Sequence, residues 1–307
     1  MNTEAFEKRD RDAHAIGTVK HVALITNYNI SEKMSAAMRV AERMEGKVEE
    51  ILVPVSYKER IFRSKGHRAS FRYVSPEDLY REAELLIVLG GDGAMLDAAR
   101  RAAPRGIPLL GINLGRVGYM TELEPDELEL LDRVFEGNYR LDERTMLRAE
   151  VRSSAGVGKF STYALNEAAI ANGSTARIVD LELSDGDELI YTYRADGLVV
   201  ATPTGSTAYS LSAGGPIVDP KLACFCVTPI CPHSLLARPL VFPDTAELRI
   251  KNICTREKVL HLTVDGRSTF DLYFGDTVVI TRSDVKVRLL RIKDESFYAK
   301  IRMKKFV

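Results

Sequence analysis

Apolar and polar positions follow two different patterns along the chain. Up to Gly137, short apolar runs alternate with stretches of helical periodicity. His21–Thr26 reads as a buried strand. It is followed by a helix in which Met34, Ala37, Met38, Ala41 and Met44 recur at i, i+3, i+4 and i+7, with Ser31 as its cap and Gly46 at its end. Val48–Val55 predicts a second strand, and Ser75-Pro76-Glu77-Asp78 a helix start with a capping hydroxyl, a first-turn proline and two acids. Leu85–Leu89 is continuously apolar, as a strand buried on both faces must be. It runs into Gly90-Gly91-Asp92-Gly93, then the helical pattern Ala94–Arg100, then the strand Ile107–Ile112. Such alternation predicts a parallel sheet with helices on its faces. Lys58–Arg72 carries Lys58, Arg60, Arg63, Lys65, Arg68 and Arg72 and reads as a solvated loop, the functional alternative being a mobile basic lid over a phosphate donor.

After Gly137, strand-like segments divided by turns take over. Leu147–Arg152, Lys159–Leu165, Ile178–Leu183, Leu189–Tyr193, Gly197–Ala201, Glu247–Ile250, Val259–Val264, Thr277–Thr281 and Val285–Leu290 are the predicted strands. Ser184-Asp185-Gly186-Asp187 and Val264-Asp265-Gly266 are the clearest turn signals. The reading is an α/β domain over 18–137 and a β-rich domain over 138–290, with 1–17 a mobile extension and 291–307 a C-terminal segment.

Two segments carry chemistry. In Gly90-Gly91-Asp92-Gly93, glycine lets the backbone approach a ligand, and Asp92 is placed at the carboxyl end of a strand, where open α/β sheets bind theirs. The loop is neither a dinucleotide fingerprint nor a P-loop, since it has no G-x-G-x-x-G and no following lysine. The second segment runs from Asp196-Gly197 through a short apolar strand into Thr202-Pro203-Thr204-Gly205-Ser206-Thr207-Ala208-Tyr209-Ser210. Hydroxyls and free N–H groups crowded at a strand-to-helix turn suit phosphate or ribose oxygens. Asn166-Glu167 adds a polar pair in the apolar frame of Leu165 and Ala168–Ala171, costly there without partners.

Charge narrows the partners. Lys and Arg number 43, as do Asp and Glu, so the net charge is zero and composition gives no argument for nucleic acid or an anionic membrane. No apolar run approaches the ~18 residues of a membrane span, and Met1–Gly17 lacks the apolar stretch of a secretory signal. The expected location is the cytoplasm. Cys224, Cys226, Cys231 and Cys254 read as reduced thiols, mostly buried, because C-x-C-x4-C is not a common zinc spacing.

Together the motifs resemble those of the NAD kinase family. Gly90-Gly91-Asp92-Gly93, Asn166-Glu167, the 196–209 block, the Pro-Ile-x-Pro-His…Arg-Pro segment at 229–239 and Gly111-Ile112-Asn113…Gly118-Tyr119 match that family in order across residues 20–295. The resemblance implies a phosphofructokinase-like α/β domain, a β-rich NAD-binding domain, and a C-terminal segment packing back on the first. It implies phosphorylation of the adenosine ribose 2′-hydroxyl of NAD by ATP, with Mg²⁺ bridging the donor phosphates and Asp92 accepting the hydroxyl proton. It implies ligand contacts at Gly91, Asp92, Gly93, Tyr119, Asn166, Glu167, Asp196 and the run Thr207, Ala208, Tyr209, Ser210, Leu211 and Ser212, with Leu211 mainly packing. Arg177, Arg194 and Arg267 match positions where cations meet phosphate, and Tyr119 stacks on adenine where the family has phenylalanine. No metal ligand is assigned to the protein itself, and a homodimer or homotetramer is expected. Ala94 departs from the family, which often has a hydroxyl or amide there. Two rivals stay open: a lipid or sugar kinase sharing the glycine loop, which leaves Asn166-Glu167 and the Thr-Pro-Thr-Gly block unexplained, and a non-catalytic NAD(P) sensor, which leaves Asp92 without a task.

Overall fold

The computed structural model describes residues 19–64, 66–115, 118–173, 178–256 and 259–303; the expected extension 1–17, Lys65 and Arg177 lie outside them. The chain divides into two compact units, one made of residues up to Glu143 together with those from Val287 onward, the other of Arg144–Lys286.

In the first unit the elements are β1 (His21–Ile25), α1 (Ser31–Met44), β2 (Glu50–Pro54), α2 (Lys58–Arg63), β3 (Phe71–Val74), α3 (Pro76–Glu82), β4 (Leu85–Gly90), α4 (Asp92–Ala102), β5 (Leu109–Asn113) and α5 (Asp132–Phe135). The strands are parallel in the order β5-β4-β1-β2-β3. β4 and β5 are buried at every position, as their unbroken apolar sequence requires. Val22, Leu24, Ile87 and Leu110 form the core with Ala37, Val40, Ala41 and Met44 of α1.

Two expectations are corrected here. Ser31 does not cap α1. It is the first helical residue, Ile30 holds the cap position with no side-chain bond, and the Asn27 side chain accepts the Asn29 N–H just upstream. Ser75 does cap α3, its hydroxyl accepting the Asp78 N–H at 3.1 Å. Residues 58–72 are not an open basic loop. They contain α2 and the first residues of β3, and Arg68 pairs with Glu42 and Glu45, Arg72 with Glu50 and Glu82. Acidic partners distant in sequence pair with Arg68 and Arg72 at the end of the run, a contact that its local pattern does not encode.

The second unit is built from β6 (Arg140–Arg152, entering from the first unit), β7 (Gly158–Ala164), β8 (Glu167–Ala171), β9 (Val179–Asp185), β10 (Glu188–Ala195), β11 (Gly197–Ala201), α6 (Tyr209–Ser212), β12 (Cys224–Ile230), β13 (Leu240–Pro243), β14 (Leu248–Asn252), β15 (Val259–Val264), β16 (Ser268–Tyr273) and β17 (Thr277–Arg291). One antiparallel sheet has the order β13-β12-β11-β8-β15-β16, and β10-β9-β14-β17 form a second antiparallel array. Inward residues of both, among them Leu181, Leu198, Val200, Phe225, Ile250 and Leu262, make one core. Thr277–Thr281 and Val285–Leu290, expected as two strands, are one continuous strand. Its early residues pair with β14 in the second unit, and from Val287 onward it belongs to the first unit, where Leu289 pairs with Leu109 of β5. The chain ends in α7 (Phe297–Met303). Cys224, Cys226 and Cys254 are buried, Cys231 is exposed, and all four are free. Among the described residues, no helix is long and apolar enough to cross a membrane.

Candidate active site

β4 delivers the glycine loop of the first unit. Its last residue is Gly90, Gly91 holds the N-cap position of α4 in extended backbone, and Asp92 opens the helix. An acid in a first helical turn meets the positive end of the helix dipole. A second segment holds the carboxylate from the other side. The Tyr119 N–H donates to Oδ2 and the Met120 N–H to Oδ1, each at 3.0 Å. Both oxygens are therefore aimed, and each keeps a second lone-pair direction. The loops come together backbone to backbone. A Cβ at Gly115 would lie 3.4 Å from Gly91 Cα, and one at Gly111 would lie 2.9 Å from Thr121 Cα. A Cβ at Gly90 would stand only 2.7 Å from Ala94 Cβ, so the residue that departs from the family packs tightly against the loop. Tyr119 is half-buried, and burial together with the Asp92 charge pushes its phenol up. Gly93 is exposed at the loop's rim.

Glu167 opens β8 in the second unit and Asn166 immediately precedes it, both more than nine-tenths buried. The residue that builds this site is one the sequence reading took only as a turn. Asp265 sits at φ 49°, in the left-handed region that Asp and Asn tolerate best among side-chain-bearing residues. Its Oδ2 accepts the N–H of Leu165 at 3.0 Å, and its Oδ1 those of Asn166 and Glu167 at 2.8 and 3.2 Å. The acid before a glycine in Val264-Asp265-Gly266 was the available signal. Thr202, fully buried, completes the cradle, donating to the Leu165 carbonyl at 2.5 Å and accepting the Gly205 N–H at 3.1 Å. Only glycine fits at 205, because a Cβ there would lie 2.0 Å from the Asn166 carbonyl oxygen.

Glu167 is the strained group of this cradle. Its Oε2 is buried without a hydrogen-bond partner. Burial, then the nearby Asp265 charge, push its carboxyl up to about 7, against a pull downward from the Tyr209 N–H. A buried oxygen with no partner carries a desolvation cost that a ligand hydroxyl would relieve.

The hydroxyls of the Thr-Pro-Thr-Gly block divide into two groups. Ser206 and Ser210 are fully buried. Ser206 Oγ bonds the Pro203 carbonyl and the Val218 N–H, and Ser210 Oγ lies 3.0 Å from Thr228 Oγ1. Both hydroxyls hold the loop. Thr207, Ala208 and Leu211 are half-buried, while Tyr209 and Ser212 are exposed. Asp196 is half-buried, its N–H donating to Ile230. Arg194 is exposed beside Asp180, and Arg267 is exposed just past the Asp265 turn. Asp92, Tyr119 and the glycine loop thus form one group in the first unit, and Asn166, Glu167 and the 207–212 run another in the second.

Comparison with known proteins matches both units. Residues 22–139 fit the ATP-NAD kinase N-terminal domain and residues 165–292 the ATP-NAD kinase C-terminal domain. The NAD kinase of Aromatoleum aromaticum is 41% identical over 286 residues, covering 92% of each chain. That of Heliobacterium modesticaldum is 39% identical, covering 92% of this chain and 97% of its own. Among solved structures, yeast NADH kinase complexed with NADH superposes with a TM-score of 0.84 at 26% identity, over 94% of this chain and 88% of its own. An NAD kinase from Archaeoglobus fulgidus in complex with ATP gives 0.67 at 26% identity, over 93% and 97%. Because the loop that aims Asp92 and the cradle that buries Glu167 each lie within a segment matched to the same family, over nearly the whole length of its members, the chain belongs to the NAD kinase family.

Proposed function

We propose that the enzyme carries out its NAD kinase reaction, ATP and NAD giving ADP and NADP, with Asp92 as the group that takes the proton of the adenosine ribose 2′-hydroxyl. As O2′ bonds to the γ-phosphorus, the bond from that phosphorus to the bridging oxygen breaks, ADP departs, and the hydroxyl proton passes to the carboxylate. Phosphoryl transfer asks the protein mainly for positioning and charge neutralisation. The pair of N–H bonds that aims both Asp92 oxygens supplies the positioning, and it is the observation that carries the proposal. The unpartnered Glu167 Oε2 supports a role for Asn166 and Glu167 in accepting from ribose hydroxyls or adenine. Gly91 and Gly93 offer close backbone approach, and Tyr119 a ring for adenine. Thr207, Ala208, Tyr209 and Ser212 line the dinucleotide, with Ser210 and Leu211 packing behind them. Asp196 accepts from it, and the exposed Arg194 and Arg267 offer cations to phosphate. Arg177 belongs to the same reading.

Among the described residues, no cluster of three or more His, Cys, Asp or Glu side chains forms a metal cage. A Mg²⁺ would be held by the donor phosphates, with no ligand assigned to this chain and Asp92 kept for the proton. When bound, the ion neutralises charge on the donor phosphates. Self-association as a homodimer or homotetramer, and a cytoplasmic location, rest on the family likeness. The test is NADP formation by the purified protein with NAD, ATP and Mg²⁺, coupled to an NADP-specific dehydrogenase, with Asp92→Asn alongside. Turnover by the parent and not by the variant is expected. NADP formation by neither, despite NAD binding, would favour the sensor.

A further inference from the structure

The segment that aims Asp92 is itself held by the end of the chain. Met120 donates its N–H to Asp92 Oδ1, and its carbonyl accepts from Arg291 Nη1 at 3.2 Å. The next carbonyl, Thr121, accepts from Lys300 Nζ at 3.0 Å and from Arg291 Nη1 at 3.5 Å. Glu122 anchors the same strip. One of its oxygens accepts the N–H of Ile292 and of Lys293 at 2.8 and 2.7 Å, and the other pairs with Arg291 at 3.0 Å and Lys300 at 3.5 Å. Asp142 takes the remaining Arg291 bond through Nε at 3.1 Å. All of this lies in the first unit, and its centre is deeply buried. The Glu122 and Arg291 side chains are 3% and 5% exposed, and Lys300 is 11% exposed.

A buried charge cluster is a poor way to gain stability, because taking the ions out of water costs several kcal/mol each. What it supplies is fixed direction. The Met120 and Thr121 carbonyls both point at C-terminal cations, which fixes the two peptides that directly follow the N–H groups holding Asp92.

We propose that Lys300 and Arg291 are positioning residues for phosphoryl transfer: the C-terminal segment 291–303 latches the 119–122 strip so that its N–H groups hold the Asp92 carboxylate in its reactive orientation. This rests on the reading of Asp92 given above. The latch bonds fall on Met120, Thr121 and Glu122, which are not read as substrate contacts, and not on Tyr119, so their loss acts mainly on kcat rather than on KM.

The experiment compares Lys300→Met and Lys300→Arg with the parent and with Asp92→Asn, in the full chain. Lys300→Met is expected to lower kcat about tenfold or more, the scale of a small misplacement of a reacting group. KM for NAD and for ATP should stay within about twofold, and Lys300→Arg should restore most of the rate, since both cations reach the Thr121 carbonyl. Amide hydrogen exchange at Tyr119 and Met120 should quicken in Lys300→Met and not in Lys300→Arg. That readout also works on a variant with lowered stability, because protection elsewhere in the first unit reports the fold. If Asp92→Asn is inactive while Lys300→Met keeps the parent kcat, or if exchange at Met120 is unmoved, the latch is wrong and the role of Asp92 stands. If Asp92→Asn turns over normally, both fall.

Discussion

The two candidate carboxylates, one in each unit, are held in opposite ways. Asp92 is half-buried at a helix start, with one backbone N–H on each oxygen. Glu167 is almost wholly buried, with one oxygen unpartnered and its carboxyl pushed up to about 7. The first arrangement fixes direction and leaves room for a proton to arrive. The second leaves a polar atom short of a partner inside the protein, a penalty that a ligand hydroxyl would relieve. Chemistry needs an aimed group whose free lone pairs face the reactant, whereas recognition gains most where binding removes an existing penalty.

The largest test of that contrast is Asp92→Asn. The amide keeps the shape and can still meet one N–H, but it cannot take a proton. Loss of a general base costs typically 10²–10⁴-fold in rate. The expected outcome is a kcat lowered by about that factor with the calorimetric Kd for NAD within a few-fold of the parent. A matching loss of NAD affinity would place Asp92 with the binding groups and erase the distinction.

Glu167→Gln tests the other side, and its effect on stability has a definite sign. The native carboxyl holds its proton up to about pH 7, while the unfolded one releases it near the ordinary glutamate value of 4.5. Between those values the unfolded state binds fewer protons, so parent stability falls as pH rises from about 4.5 to about 7 and is level beyond. Glutamine has no such loss. Relative to the parent, Glu167→Gln should therefore be unchanged near pH 4 and more stable above pH 7, by about 3 kcal/mol at most. Urea unfolding at a series of pH values measures it. At the same time KM for NAD should rise about tenfold, a hydrogen bond to a charged group being worth ~1.5–3 kcal/mol. A variant less stable at every pH would mean that Glu167 Oε2 has a partner within the fold.

The contrast also separates what was legible in the sequence from what was not. The apolar run Leu85–Leu89 and the glycine loop after it placed Asp92 at a strand end, because a strand buried on both faces has a local signature and so does a glycine turn. The two N–H groups that aim Asp92 come from residues 27 and 28 positions later, and no local pattern encodes that contact. β8 went unread because Glu167-Ala168-Ala169-Ile170-Ala171 has little β-branched content. It is a strand because β11 and β15 pair with it on either side. Ser206 and Ser210 look like Thr207 and Ser212 in sequence, and only burial separates hydroxyls that brace the loop from those left at its surface. Arg68 and Arg72 looked solvated because their acidic partners are remote along the chain.

The finest test concerns Asp265, which ties the two features of the Glu167 cradle together by supplying three backbone acceptor contacts and a neighbouring negative charge. Asp265→Asn separates them. Asparagine adopts the left-handed backbone as readily as aspartate, so φ 49° adds no strain. With its carbonyl in place of Oδ1 it still accepts from Asn166 and Glu167, and only the Leu165 N–H loses its acceptor, at a cost of about 1–2 kcal/mol. The charge, however, is gone. The Glu167 carboxyl should then titrate below its present value of about 7, and the pH at which stability stops falling should move down with it. Because burial is the larger cause, the move should be partial. A transition that stays at about 7 would assign the whole shift to burial. One that returns to the ordinary carboxylate range would mean that Asp265, rather than the apolar frame around β8, keeps Glu167 protonated.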